Sequence, residues 1–242
     1  MRKDWFGWTT HRLPVPARVV RYGHYGRPVL LYATAGGDFE EAERNGLIGA
    51  LAGLIDAGRI KVYAIDSVAG QHWLSRQHSP EYCSKVQNLF DAYVYEEIVP
   101  LVRHDCASQD IELIATGASI GAFNAVAALC RHPDAFRVAL GMSGTYDLSG
   151  YLHGHWGDDF YFSSPMHFLP GLSGWQFDRL RGRMVILASG EGRWEDPGES
   201  WRMARVLGDK NVPNRVDLWG TNYDHDWPTW REMLPKYLWE LA

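Results

Sequence analysis

The residues of this chain whose types and spacing could do chemistry are a serine, a histidine and a group of carboxylates. Ser119 lies at the centre of Gly117-Ala118-Ser119-Ile120-Gly121. The apolar, β-rich run Ile111 to Thr116 precedes it and the helix-forming run Ala122 to Leu129 follows it. A G-x-S-x-G between a strand and a helix is a nucleophile elbow. The turn is so tight that its serine takes a strained backbone, and small residues two before and two after it avoid clashes. Small residues are common, so the strand-before, helix-after context gives the pattern its meaning. A serine hydroxyl is a poor nucleophile at neutral pH. It needs a base within hydrogen-bond reach, and the base needs an orienting carboxylate.

The base expected here is His225, in Thr221-Asn222-Tyr223-Asp224-His225-Asp226-Trp227, after the last expected strand. The acid should follow the strand Arg183 to Ala188, in the loop Ser189-Gly190-Glu191-Gly192-Arg193-Trp194-Glu195-Asp196. Glu191 sits at the strand end, where its reach is short; Glu195 and Asp196 lie farther out, on a loop able to fold back. The order of preference is Glu195, Glu191, Asp196. The oxyanion is expected to take the backbone N–H of Ile120 and a second N–H near Gly36 or Gly37, in the loop after the Pro28 strand.

These residues have to be positioned by alternating strands and helices, and the chain reads that way throughout. Strands are expected at Ala17 to Tyr22, Pro28 to Ala33, Ile60 to Ile65, Ile111 to Thr116, Arg137 to Met142, Arg183 to Ala188 and Asn214 to Trp219. Helices are expected from an Asp38 cap to about Ala57, from about Glu81 to Arg103 despite Pro100, from the elbow to about Arg131, from Gly198 to Leu207 and from Pro228 to Leu241. Residues 66–80 read as a loop. The glycine- and aromatic-rich stretch from Ser143 to Phe177 lacks clear periodicity, as a lid or pocket wall often does.

With 242 residues, 46% hydrophobic and 22% charged, the chain suits one α/β domain with a sizeable core. A net charge of −5 and the lack of a basic run argue against a nucleic-acid partner. No stretch approaches the ~18 apolar residues of a membrane span, and the first residues have no apolar signal core. Cys83, Cys106 and Cys130 form neither a disulfide framework nor a zinc set, so a reducing cytoplasmic setting is expected. His153, His155, Asp158 and Asp159 match no metal-ligand spacing and read as a polar loop. No metal or other cofactor is expected. Ser143 follows a strand but opens no helix, so it reads as a structural turn. Trp73, Trp156, Trp175 and Trp194 read as packing residues, with one or two lining a pocket as the minority alternative.

The GASIG elbow, the GEGRWED stretch from Gly190 and the DHDWPTW stretch around His225 resemble the esterase D-related branch of the α/β-hydrolases, often labelled "putative esterase". So does the Glu96-Glu97-Ile98-Val99-Pro100-Leu101-Val102 segment, and the resemblance runs from the Pro28 strand to the end. It implies an α/β-hydrolase fold with a mostly parallel central sheet and helices on both faces, in residues 1–242. It implies Ser119 as nucleophile and His225 as base of a cofactor-free serine carboxylesterase acting on a small-molecule carboxylic ester or thioester. Relatives often place the acid about three residues after the strand-end glycine. Here that position is Arg193, so the acid stays open among Glu191, Glu195 and Asp196. An acyltransferase using the same acyl-enzyme, and a non-catalytic binding protein on a hydrolase fold, are the alternatives.

Overall fold

A computed structural model describes every residue from Met1 to Ala242. Its strands are β1 (Lys3–Trp8), β2 (Ala17–Tyr22), β3 (Arg27–Tyr32), β4 (Ile60–Ile65), β5 (Leu113–Ala118), β6 (Phe136–Met142), β7 (Met184–Ser189) and β8 (Asn214–Leu218). They form one sheet in the order β1-β2-β4-β3-β5-β6-β7-β8. β1, β2 and β4 pair antiparallel, and every pairing from β4 across to β8 is parallel. The parallel strands β3, β4, β5 and β7 are buried nearly end to end, as strands covered on both faces must be.

Two apolar layers flank the sheet. One joins Phe90, Val94, Val102 and Leu129 to Met203 and Leu207. The other joins Leu47, Leu51 and Ile55 to Trp230, Leu234 and Leu238 of the last helix, Trp227–Leu241. Because β3, β5, β6, β7 and β8 run the same way, their C-terminal ends share one edge of the sheet. That edge carries the loop after Tyr32, Ser119, Ser143, the loop after Ser189 and the loop after Leu218, where open α/β sheets place their ligands.

Several elements depart from the expected pattern. β1 was not expected; it is an edge strand whose side chains alternate between half-buried and exposed against β2. The stretch expected as one helix from Asp38 is three short turns, Glu41–Arg44, Leu47–Ala50 and Ala52–Asp56. Gly46 breaks it with φ of 77°, a conformation open to glycine. Asp38 stands ahead of the first turn, accepting from the Glu40 N–H. Residues 66–80 hold a helix, Val68–Ser75, drawn tightly onto the neighbouring loop: a Cβ at Gly70 would lie 2.9 Å from Ala35 Cα.

The long helix near Glu81 to Arg103 is Pro80–Tyr93, a π turn Val94–Ile98, and Val99–Asp105. The wider turn admits Pro100, which has no N–H to give, near the start of the last segment. The 143–177 stretch is a series of helical turns of six residues or fewer, too short to show a period.

Candidate active site

Ser119 caps β5 and opens the Ile120–Arg131 helix with φ 58° and ψ −123°. This is the strained turn the pattern anticipates. The flanking glycines are required by contact. A Cβ at Gly117 would lie 2.6 Å from the Gly121 carbonyl carbon, and one at Gly121 would lie 2.8 Å from the Tyr32 oxygen. The elbow is thus pressed against the end of β3. Ser119 is half-buried, its N–H donating to the Met142 carbonyl at 3.0 Å and its carbonyl accepting from Thr145 at 3.3 Å.

The three candidate acids have three different surroundings. Glu195 is buried, with 1% of its side chain exposed, and its Oε2 lies 3.9 Å from His225 Nδ1. The Ser143 hydroxyl donates to Glu195 Oε1 at 2.5 Å, and the Trp230 indole N–H donates to Ser143 Oγ at 3.0 Å. Ser189 lies 3.2 Å from Oε2 but shares its single proton with the Gly190 carbonyl, so Ser143 is the firmer donor. Asp196 instead caps the Pro197–Asp209 helix, accepting from the Gly198 N–H, and pairs with Arg202. Glu191 is exposed, and its backbone N–H donates to Gly220.

His225 packs edge-on against Trp230, with centroids 5.4 Å apart at 79°. Burial lowers its pKa; the charges of Glu195 and Asp226 pull the other way without reversing it. A neutral imidazole beside a carboxylate is a competent base at neutral pH. The structure brings Glu195 and His225 together but forms no hydrogen bond between the Ser119 hydroxyl and His225. Such contacts often tighten only when substrate arrives.

The loops that carry Glu195 and His225 are laced together. Glu191 N–H donates to Gly220 O, Gly192 N–H to Tyr223 O and His225 N–H to Arg193 O, each at 3.0 Å. Asp224 accepts from the Arg193 backbone N–H at 2.7 Å and its Nε at 2.8 Å. Arg193 thus holds the residue beside His225.

Ile120, expected to supply an oxyanion donor, begins the helix, where an N–H has no intrahelical acceptor. Of the two glycines expected to supply the second donor, Gly37 is buried and its N–H is engaged by the Thr34 carbonyl at 2.9 Å. Gly36 is exposed. Glu41 fixes this loop through the Thr34 N–H and hydroxyl, at 2.9 and 2.7 Å.

The supporting roles of Ser143, Trp230 and Asp224 were not anticipated. Ser143 read as a plain turn, and its link to Glu195 exists only because β6 and β7 are neighbours. The tryptophans need correction as well. Trp73 is buried, but Trp156, Trp175 and Trp194 are 58%, 68% and 77% exposed, on short segments that offer them no core. No group of three or more His, Cys, Asp or Glu is arranged to hold a metal ion.

Residues 20–241 match the family model described as "Esterase: Putative esterase". No curated protein matches the chain in sequence. Among solved structures, a ferulic acid esterase is similar with TM-score 0.73 and 13% identity, over 98% of this chain and 95% of that one. An S-formylglutathione hydrolase from Agrobacterium tumefaciens has TM-score 0.73 and 12% identity, over 98% and 93%. The enterobactin esterase of Shigella flexneri has TM-score 0.70 and 18% identity, over 100% of this chain and 60% of that one. At these identities the likeness to the solved structures is one of fold.

Proposed function

Because the chain belongs to the esterase family, within the α/β-hydrolases, we propose that it hydrolyses a small-molecule carboxylic ester through a covalent acyl-enzyme on Ser119. Ser119 Oγ bonds to the ester carbonyl carbon as its proton passes to the His225 imidazole. Glu195, on the Nδ1 side of the ring, holds the tautomer and stabilises the imidazolium. The Ile120 and Gly36 N–H groups take the charge developing on the carbonyl oxygen. His225 then returns the proton to the departing alcohol. A water, deprotonated by the same imidazole, releases the acid and restores Ser119.

The observation that carries this reading is the carboxylate of Glu195. It is buried, the only basic side chain facing it is the imidazole of His225, which it would pair once that ring takes a proton, and hydroxyls aim it. A buried charge persists only when paired and hydrogen-bonded. The 143–177 segment, next along the chain from β6, would wall the acyl or alcohol pocket. The three cysteines are free, which fits a reducing compartment.

Ser119→Ala and His225→Ala should each lower hydrolysis of p-nitrophenyl acetate by at least about 10³-fold with folding kept. Ser119→Ala should also abolish labelling by a fluorophosphonate. Near-wild-type turnover in either variant would refute the assignment.

A further inference from the structure

A cleft of about 570 Å³ opens between the Val68–Ser75 helix, the start of the Pro80–Tyr93 helix and the turn at Gly150. Its walls include His72, Trp73, Arg76, His78, Tyr151 and His153, and no carboxylate lines it. In a chain of net charge −5, a cavity whose one permanent charge is an arginine runs against the overall balance. Arg76 is exposed and forms no ion pair, whereas most arginines of this chain are tied to carboxylates or carbonyls. His72 and His78 stack at 4.9 Å and 27°, giving one flat wall. The His72 Nδ1 lies 2.8 Å from the Val68 carbonyl, which can only accept, so Nδ1 carries the proton and fixes the ring; the donor to a carboxylate in this cleft is Arg76. Trp73 gives a second, fixed wall, its indole N–H held by Gln87 at 3.3 Å.

The helix that walls the cleft on one side also reaches the loop after β3. Trp73 belongs to the same apolar cluster as Ile120, with Ala35 packed against it. Leu74 Cδ1 lies 3.7 Å from where a Cβ on Gly36 would stand. Gly36, one of the two proposed oxyanion donors, therefore borders the helix that forms one side of the cleft. The volume is in the range of small-molecule sites, ~300–1,000 Å³. Flat walls suit a ring, and a guanidinium forks onto a carboxylate.

We propose that this cleft is a substrate subsite for an aromatic carboxylate, so that the preferred esters carry a second, free carboxylate. The proposal rests on the esterase reading of Ser119 and narrows its substrate. The test pairs monomethyl terephthalate with methyl 4-carbamoylbenzoate, a neutral analogue of similar shape. Alongside, benzoate and benzamide are titrated calorimetrically against the same protein.

The wild type should favour the anion in kcat/KM and in affinity by about ten-fold or more, the worth of a charge-assisted pair. Arg76→Gln should bring both ratios close to one, and Arg76→Lys should keep part of them. Thermal melting checks that each variant is folded. Equal treatment of anion and neutral by the wild type, or a preference surviving in Arg76→Gln, overturns the subsite. Loss of fluorophosphonate labelling with benzoate preference intact would instead overturn the esterase reading alone.

Discussion

A buried carboxylate flanked by serines can serve either as a structural anchor or as the partner of a base, and substitution separates the two. Glu195→Gln keeps the shape but removes the charge facing His225. It should cut kcat by about 10³–10⁴-fold, the scale on which triad acids act. Glu191→Gln should be close to neutral, and Asp196→Ala, which removes the helix cap, should cost about 1 kcal/mol of stability and little turnover; steady-state kinetics on one p-nitrophenyl ester distinguishes these cases. Three comparable small losses would place the acid elsewhere. The proton on His225 gives a second check. Burial lowers its pKa, so the neutral, base-competent form persists below the ordinary histidine value of about 6.5. The acid limb of kcat/KM should therefore bend below that value and level off through neutrality. The same shift means that the unfolded chain binds the extra proton first, so the His225 contribution to stability is present above about 6.5 and declines as pH falls. A limb bending above it would mean that the imidazolium is the favoured form in the free enzyme.

At the scale of elements, the elbow works because three backbones converge where a side chain would not fit. Gly121→Ala would drive a methyl into the Tyr32 and Ala33 oxygens. It should lower stability by about 1–3 kcal/mol, seen as an earlier urea midpoint. It should also reduce kcat, because the Ile120 N–H shifts with the helix start. This element was legible in the chain because its signal is local: a glycine, a serine and a glycine between an apolar run and helix formers. The strands were legible for the same reason, since buried parallel strands read as unbroken apolar runs. What stayed hidden depended on partners distant in sequence. β1 has a strand's alternation only against β2. The Gly46 break follows from packing that a periodic apolar face does not reveal. Ser143 gained its role from the acid loop on the next strand. Asp224 owes its place to Arg193, 31 residues earlier in the chain.

Across the whole molecule, the antiparallel end of the sheet is held by a cluster of charges far from the elbow. Arg21 and Lys61 are both nearly buried, at 6% and 5% exposure. Arg21 pairs with Asp4 and Asp105, and Lys61 lies 3.0 Å from Asp105. Burial alone would raise the Asp105 carboxyl, but hydrogen bonds from Tyr63 and Lys61 and the nearby charges outweigh it and hold its pKa below the usual range. Its contribution is therefore present above the ordinary carboxylate value and is lost as pH falls through the lower folded value. Asp105→Asn would leave two cations without their shared partner. It should cost about 3 kcal/mol, the lower end for breaking a buried pair, read from urea unfolding at neutral pH. Fluorophosphonate labelling of the folded variant should persist. The lacing of the 190–195 and 220–226 loops has a different kind of consequence. Glu195 and His225 ride on one interlocked pair of segments, so a single inserted residue in either would put the two out of phase. The smallest piece that could be exchanged with another esterase is therefore both loops together, as one cassette.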